Sequence, residues 1–275
     1  MTLRHEIVGN ATQLVVVTLR PGQTVYCEAG TFRFKTTNVT METRLSAPSG
    51  GGAAPGRPKG AAAAGIGGLP RPALGTAVQT GRRAPADESP AFQYLTAQDG
   101  EGTAGFAGVL PGELRALELD GTRAWCAQRN AVVAAESTVG FALLDLRGGR
   151  TGTAGGEGVA LGRLTGRGTV IIAGAGTFVD LNPADFGGRV EVDAGSLVAF
   201  EESVGYGVRR AGGPDRPSLM HAVSGGEGVA LATLEGDGSV LLQSTTVQGL
   251  ATALNRTQGG DRQGPASGFS PTPAG

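Results

Sequence analysis

Apolar and polar residues alternate in short runs through most of this chain, and the runs come back at related spacings. Val25-Tyr26-Cys27-Glu28-Ala29-Gly30, Trp125-Cys126-Ala127-Gln128-Arg129-Asn130 and Val190-Glu191-Val192-Asp193-Ala194-Gly195 each alternate and then stop on Gly30, Asn130 or Gly195. Period two marks a half-buried strand. Gly and Asn enter the left-handed region at least cost, so one hairpin turn with positive φ is expected at all three positions. Nine residues further on stand Val39, Val139 and Val204, each starting a second alternating run: Val39/Met41/Thr43, Val139/Phe141/Leu143 and Val204/Tyr206/Val208. Trp125 shares the register of Val25 and Val190 and is expected in the core. Val15-Val16-Val17 reads as a further strand.

A second signal is exact self-similarity. Gly-Gly-Glu-Gly-Val-Ala-Leu occurs at Gly155–Leu161 and again at Gly225–Leu231. The flanks keep step, with Leu164-Thr165-Gly166-Arg167-Gly168-Thr169-Val170 answering to Leu234-Glu235-Gly236-Asp237-Gly238-Ser239-Val240. A period longer than one hairpin points to a duplicated supersecondary unit. Joined with the alternating runs, it gives an all-β chain of three repeated modules with pseudo-threefold symmetry, at 1–110, 111–176 and 177–254. The second half of the first module, around Leu95–Phe106, is degenerate.

Helical spacing is scarce; Ser244–Asn255 fits best, with Val247, Leu250, Ala251 and Leu254 on one face. Glycine supplies 49 of 275 residues, far above the usual ~7%. Ser46–Pro85, rich in Gly, Ala and Pro, reads as a disordered insertion into the first module. It is expected to be dispensable for folding unless Ile66, Leu69, Leu74 and Val78 dock on the body. Residues 255–275 read as a disordered tail. Against a whole-chain charge of −1, the insertion contributes +5 and the tail +1, leaving −7 on the rest. An acidic body makes nucleic acid an unfavourable partner, because that affinity is mostly cation–phosphate attraction. Met1–Leu19 lacks the apolar core of a signal peptide, and no run reaches the ~20 apolar residues of a transmembrane helix. A cytoplasmic protein is expected.

The residues offer little catalytic chemistry. Cys27 and Cys126 fall one residue out of phase in the aligned runs, which points them to opposite faces and disfavours a disulfide. Neither has a base in its surroundings, since His5 and His221 lie outside any motif. Metal-binding barrels of the cupin kind use several His with a carboxylate, which two distant histidines do not supply. Glu157 and Glu227 are the most inviting carboxylates, but a residue copied with its repeat is better explained by backbone hydrogen bonding at a strand entry. Phe200-Glu201-Glu202-Ser203 reads as a solvated turn. Gly166-Arg167-Gly168, Gly174-Ala175-Gly176 and Gly236-Asp237-Gly238 read as β-turns, because none opens a helix and no Gly-Lys-Ser/Thr follows. No catalytic, cofactor-binding or metal site is expected.

Pro21-Gly22, Glu28-Ala29-Gly30, the doubled Gly-Gly-Glu-Gly-Val, Leu-Thr-Gly-x-Gly-x-Val, and Val192-Asp193-Ala194-Gly195-Ser196-Leu197-Val198-Ala199-Phe200-Glu201 together resemble the altered-inheritance-of-mitochondria family. The resemblance covers about Leu3 to Thr246, departing at Ser46–Pro85 and at Cys126–Asn130. It implies a fold like the tryptophan RNA-binding attenuation protein, a short double-stranded β-helix unit used three times, and no catalytic residues. Mitochondrial members are associated with inner-membrane organisation, which is not carried over to this chain. The function that fits is a non-enzymatic β scaffold working through protein–protein association, with a protein partner or further copies of itself. Nucleic-acid binding or a transcription-related role is the alternative, by fold analogy alone.

Overall fold

The computed structural model describes residues 2–45, 91–144, 161–210 and 230–259. The strands run β1 Arg4–Val8, β2 Leu14–Leu19, β3 Thr24–Glu28, β4 Phe32–Lys35, β5 Val39–Arg44, β6 Phe92–Ala97 and β7 Gly102–Ala107. Then come β8 Gly112–Asp120, β9 Trp125–Gln128, β10 Val132–Glu136, β11 Val139–Leu143 and β12 Leu161–Ala175. The last six are β13 Phe178–Leu181, β14 Arg189–Asp193, β15 Leu197–Glu201, β16 Gly205–Arg210, β17 Ala230–Glu235 and β18 Val240–Gln243. Among the described residues there is one α-helix, α1 Val247–Gly259, near the span expected from apolar spacing. Thr246 Oγ1 accepts the Gly249 N–H at 3.0 Å and caps its first turn. Among the described residues the protein is all-β apart from this helix and short 3₁₀ turns.

Every strand pair among the described residues is antiparallel. β6 lies between β3 and β5, and β7 between β2 and β4, with β1 outside β2. The first part of β12 lies between β9 and β11, and its second part between β8 and β10. β17 lies between β14 and β16, and β18 between β13 and β15. Two further pairings join these groups, β3 with β10 and β9 with β15. The path β13-β18-β15-β9-β12-β10-β3-β6-β5 is therefore continuous.

The β-branched run of β2 shows how the alternation is used. Val15, Val17 and Leu19 are fully buried while Leu14, Val16 and Thr18 are half-buried. Among the described residues, three apolar clusters form the core. One is built on Leu3, Val17, Leu95 and Phe106, and a central one on Tyr26, Phe92, Phe141 and Leu164. The third is built on Leu161, Leu197, Phe200 and Leu234. Val39, Val139 and Val204, the three residues nine past the turns, are all buried.

The turns differ from expectation. None closes a hairpin: β3 pairs with β6 and β10 whereas β4 pairs with β7, the strands flanking Asn130 pair with different stretches of β12, and those flanking Gly195 take separate partners. Alternation reports which face of a strand is buried; it does not report the partner. Gly30 has φ +93°. Asn130 and Gly195 instead sit in 3₁₀ turns, Arg129–Ala131 and Ala194–Ser196, and Gly195 lies outside the left-handed region. The Asp193 side chain accepts the Gly195 N–H at 2.9 Å and holds that turn.

Two other local expectations are corrected. Gly166-Arg167-Gly168 is inside β12, where positive φ at Gly166 and Gly168 kinks a strand that continues for 15 residues. Phe200 is core, its ring stacked on Tyr206 at 5.3 Å, so the solvated part of that tip is Glu202 and Ser203. Trp125 packs against the central cluster but is half-buried. Val25 and Cys27 belong to a different cluster, and Trp125 is not the fully buried core residue expected.

Candidate interaction edges

Cys27 and Cys126 are free and buried, in different apolar clusters. Burial pushes the Cys27 thiol up to about 11 and that of Cys126 up to about 12. Both are protonated near neutral pH, which is the opposite of an activated nucleophile. His5 is half-buried with Nδ1 3.0 Å from the Leu3 carbonyl oxygen. Glu157, Glu227, His221 and the 46–85 insertion lie outside the described residues. Among the described residues, no group of three or more His, Cys, Asp or Glu is placed to hold a metal, and no helix is long and apolar enough to cross a membrane.

The carboxylates that the fold does organise hold the backbone. Glu136 is buried at the end of β10, accepting the Thr169 N–H at 2.8 Å and the Gln23 amide at 3.2 Å. Thr169 Oγ1 donates onward to Glu118 at 2.9 Å. Glu201, at the end of β15, pairs with Arg123 at 3.1 Å. Glu202 takes the Arg163 guanidinium through two bonds of 2.8 Å, a fork across strands of two different groups. Sequence reasoning passed over Glu136. The available signal was a lone acid ending the apolar run Val132-Val133-Ala134-Ala135; its contact with Gly168 and Thr169 is made only by the fold.

Of the several strands that pair on one side only, two stand where the corresponding strands of the other groups are paired on both sides. Among the described residues, β4 pairs with β7 alone and β14 with β17 alone. The strands corresponding in chain order are covered: Ala134 of β10 faces Cys27, and Ala199 of β15 faces Ala127, all four fully buried. Phe34 of β4 is 43% exposed. Its ring lies over Gly105 of β7, whose missing Cβ leaves the space. On β14, Val192 is buried within its own cluster, while Val190 is half-buried and Glu191 exposed, 3.6 Å from Arg189.

The fold and these edges define an all-β protein with open strand edges. Residues 5–245 match the profile of the family described as Mitochondrial biogenesis AIM24, and the chain belongs to that family. An uncharacterized protein of Streptococcus pyogenes serotype M6 is 26% identical over 243 residues, 88% of this chain and 86% of the relative. A Streptococcus pyogenes protein solved by X-ray crystallography has the same fold, with a TM-score of 0.63 at 22% identity over 93% of this chain and 99% of the other.

Proposed function

We propose that this chain is a non-enzymatic β scaffold that acts by protein–protein association through the edges of β4 and β14. The observation that carries the reading is that β3, β9, β10 and β15 are each paired on both sides, whereas the outer sides of β4 and β14, at the corresponding places, pair with no other strand among the described residues. Such edges are templates for added strands unless something blunts them. Two buried free thiols accord with a reducing, cytoplasmic setting.

The scaffold is read as one short double-stranded β-helix unit used three times. Three recurrences support this. A strand of the β6 kind is flanked alike in each group, as is one of the β7 kind. A register shift occurs at the same place after each turn, between Phe32 and Phe34, Val132 and Ala134, and Leu197 and Ala199. Finally, the Thr36 N–H donates to Thr103 and the Glu201 N–H to Ser239, each just past a Gly-x-Gly. The glycines are 100 and 102 in the first group, which identifies the degenerate half of the first module.

Thr37→Pro tests the edge reading. Thr36 N–H points into the sheet, toward Thr103, so alternation turns that of Thr37 outward. Proline suits the second position of the turn that the Val39 N–H to Thr36 carbonyl bond closes. Affinity capture from cell extract should retain protein on the native chain that Thr37→Pro and Glu191→Pro lose, and that rebinds when purified. Retention indifferent to both substitutions, or none at all, would overturn the reading.

A further inference from the structure

The two pairings that join the strand groups share one register. Counted from Gly30, Asn130 and Gly195, the residue three before the turn of one group faces the residue four after the turn of the next: Cys27 faces Ala134 and Ala127 faces Ala199. One step along, Tyr26 faces Ala135 and Cys126 faces Phe200. Each ladder is closed by the same backbone bond, from Ser137 N–H to the Thr24 carbonyl at 3.1 Å and from Glu202 N–H to the Ala124 carbonyl at 2.9 Å. The unused members of this series are β14 at one end and β4 at the other.

Resting on the edge reading above, we propose that β14 of one chain pairs antiparallel with β4 of a second copy. In the shared register Val192 faces Phe34, Glu191 faces Lys35, and the Thr37 N–H donates to the Arg189 carbonyl. Both strands present the required sides. The Gly236 N–H bonds the Gly188 carbonyl, so alternation aims the Arg189 and Glu191 backbone groups away from β17. Phe34, over Gly105, occupies the place that Ile171 and Leu241 fill opposite Ala134 and Ala199. It is therefore the apolar contact of this register, exposed where its counterparts are buried. The other face differs in kind. Apolar residues meet there in the two internal joints, whereas Lys35 meets Glu191 here. A lysine on an edge keeps that edge from pairing indiscriminately; opposite a carboxylate it favours one partner and one register. The contact is heterologous, so copies add head to tail.

Cysteine pairing tests both partner and register. The Ser137–Thr24 bond makes that pair hydrogen-bonded, so alternation makes 27/134, and by the same register 192/34, a close pair with Cα atoms roughly 4.5 Å apart. That separation is within disulfide reach. Phe34→Cys chains mixed with Val192→Cys chains under mild oxidation should give a reducible dimer at least tenfold above either variant alone. The double variant should give a ladder of multimers. Adding Thr37→Pro to the Phe34→Cys chain should abolish the dimer, and Lys35→Glu should weaken it, with recovery when the partner carries Glu191→Lys.

No cross-link above the unsubstituted protein overturns the proposal. So does a double variant that links within one chain as a faster-migrating monomer, which would mean that the chain closes on itself. Dimers of Phe34→Cys alone, equal to those of the mixture, would place a different surface at the contact and overturn it as well. If the cross-link fails while Thr37→Pro still loses a captured protein, self-association falls and the scaffold reading stands; if both fail, both fall.

Discussion

The Thr169 backbone N–H donates to Glu136 Oε2 at 2.8 Å, and a Cβ on the neighbouring Gly168 would lie 2.9 Å from the same oxygen. The carboxylate takes the place of a ladder acceptor that the kink in β12 removes, and Gly168 is the residue that lets it approach. Glu136→Ala leaves a buried N–H without its acceptor, which costs about 1–3 kcal/mol. Glu136→Gln keeps an acceptor and should cost less. Urea denaturation of both variants checks the order; equal midpoints would mean that Thr169 finds water instead.

Gly162 illustrates a second kind of close approach. The ring of Phe141 lies across Gly162, so that an added Cβ would collide with Cε2 and Cζ. Phe141 cannot readily yield, because its ring packs edge-on to Phe92 at 5.6 Å. Gly162→Ala should therefore destabilise by about 1–3 kcal/mol, as overpacking does. Phe141→Leu in the same chain should recover part of the loss. Gly207→Ala has open space and ordinary φ, and should leave the melting temperature nearly unchanged.

The strands were legible because alternation over five or six residues is a direct imprint of one buried face, as in β2. Their partners were not legible. The run ending at Gly30 carries the same local signal whether the next strand folds back on it or crosses to β7. The Gly-x-Gly segments misled for a similar reason: Gly166 and Gly168 have the positive φ of turn residues, yet they kink a strand whose two halves pair with β11 and β8. Trp125 shows the limit of the face argument. Register put it on an inward face, but which cluster it meets and how far it is exposed depend on neighbouring strands that no local pattern specifies. The edges β4 and β14 follow from the whole pairing order and have no sequence signal of their own.

Buried acids that ionise only at high pH give the fold an alkaline limit. Burial raises Cys27 from its ordinary 9.0 to about 11 and Cys126 from 9.0 to about 12, and pushes the Tyr26 hydroxyl upward as well. Between pH 9 and 11 the folded state holds thiol protons that the unfolded chain has released. Stability is thus full below pH 9 and falls as pH rises, by up to about 1.4 kcal/mol per pH unit for each thiol. The urea midpoint should be flat from pH 7 to 8.5 and lower at pH 10.5. Cys27→Ala should flatten the slope; a midpoint unchanged to pH 10.5 would show that the thiols are not held in apolar surroundings.

Gly30 and Gly195 occupy matched places in the chain and should respond differently to the same substitution. Gly30 has φ +93° with nothing within 4 Å of an added Cβ, so Gly30→Ala meets backbone strain alone. An L-residue in the left-handed region costs roughly 1–2 kcal/mol. Gly195 has an ordinary φ inside its 3₁₀ turn, and a Cβ there would meet Gln248 Oε1 no closer than 3.4 Å. Gly195→Ala should change stability by less than about 0.5 kcal/mol. The Asp193 carboxylate, accepting the Gly195 N–H, matters more to that turn, and Asp193→Ala should cost about 1 kcal/mol, as the loss of a cap does. Thermal melts of the three variants separate the two geometries. A penalty at Gly195 as large as that at Gly30 would mean that both turns use the left-handed residue, with the chain reversing at each in the same way.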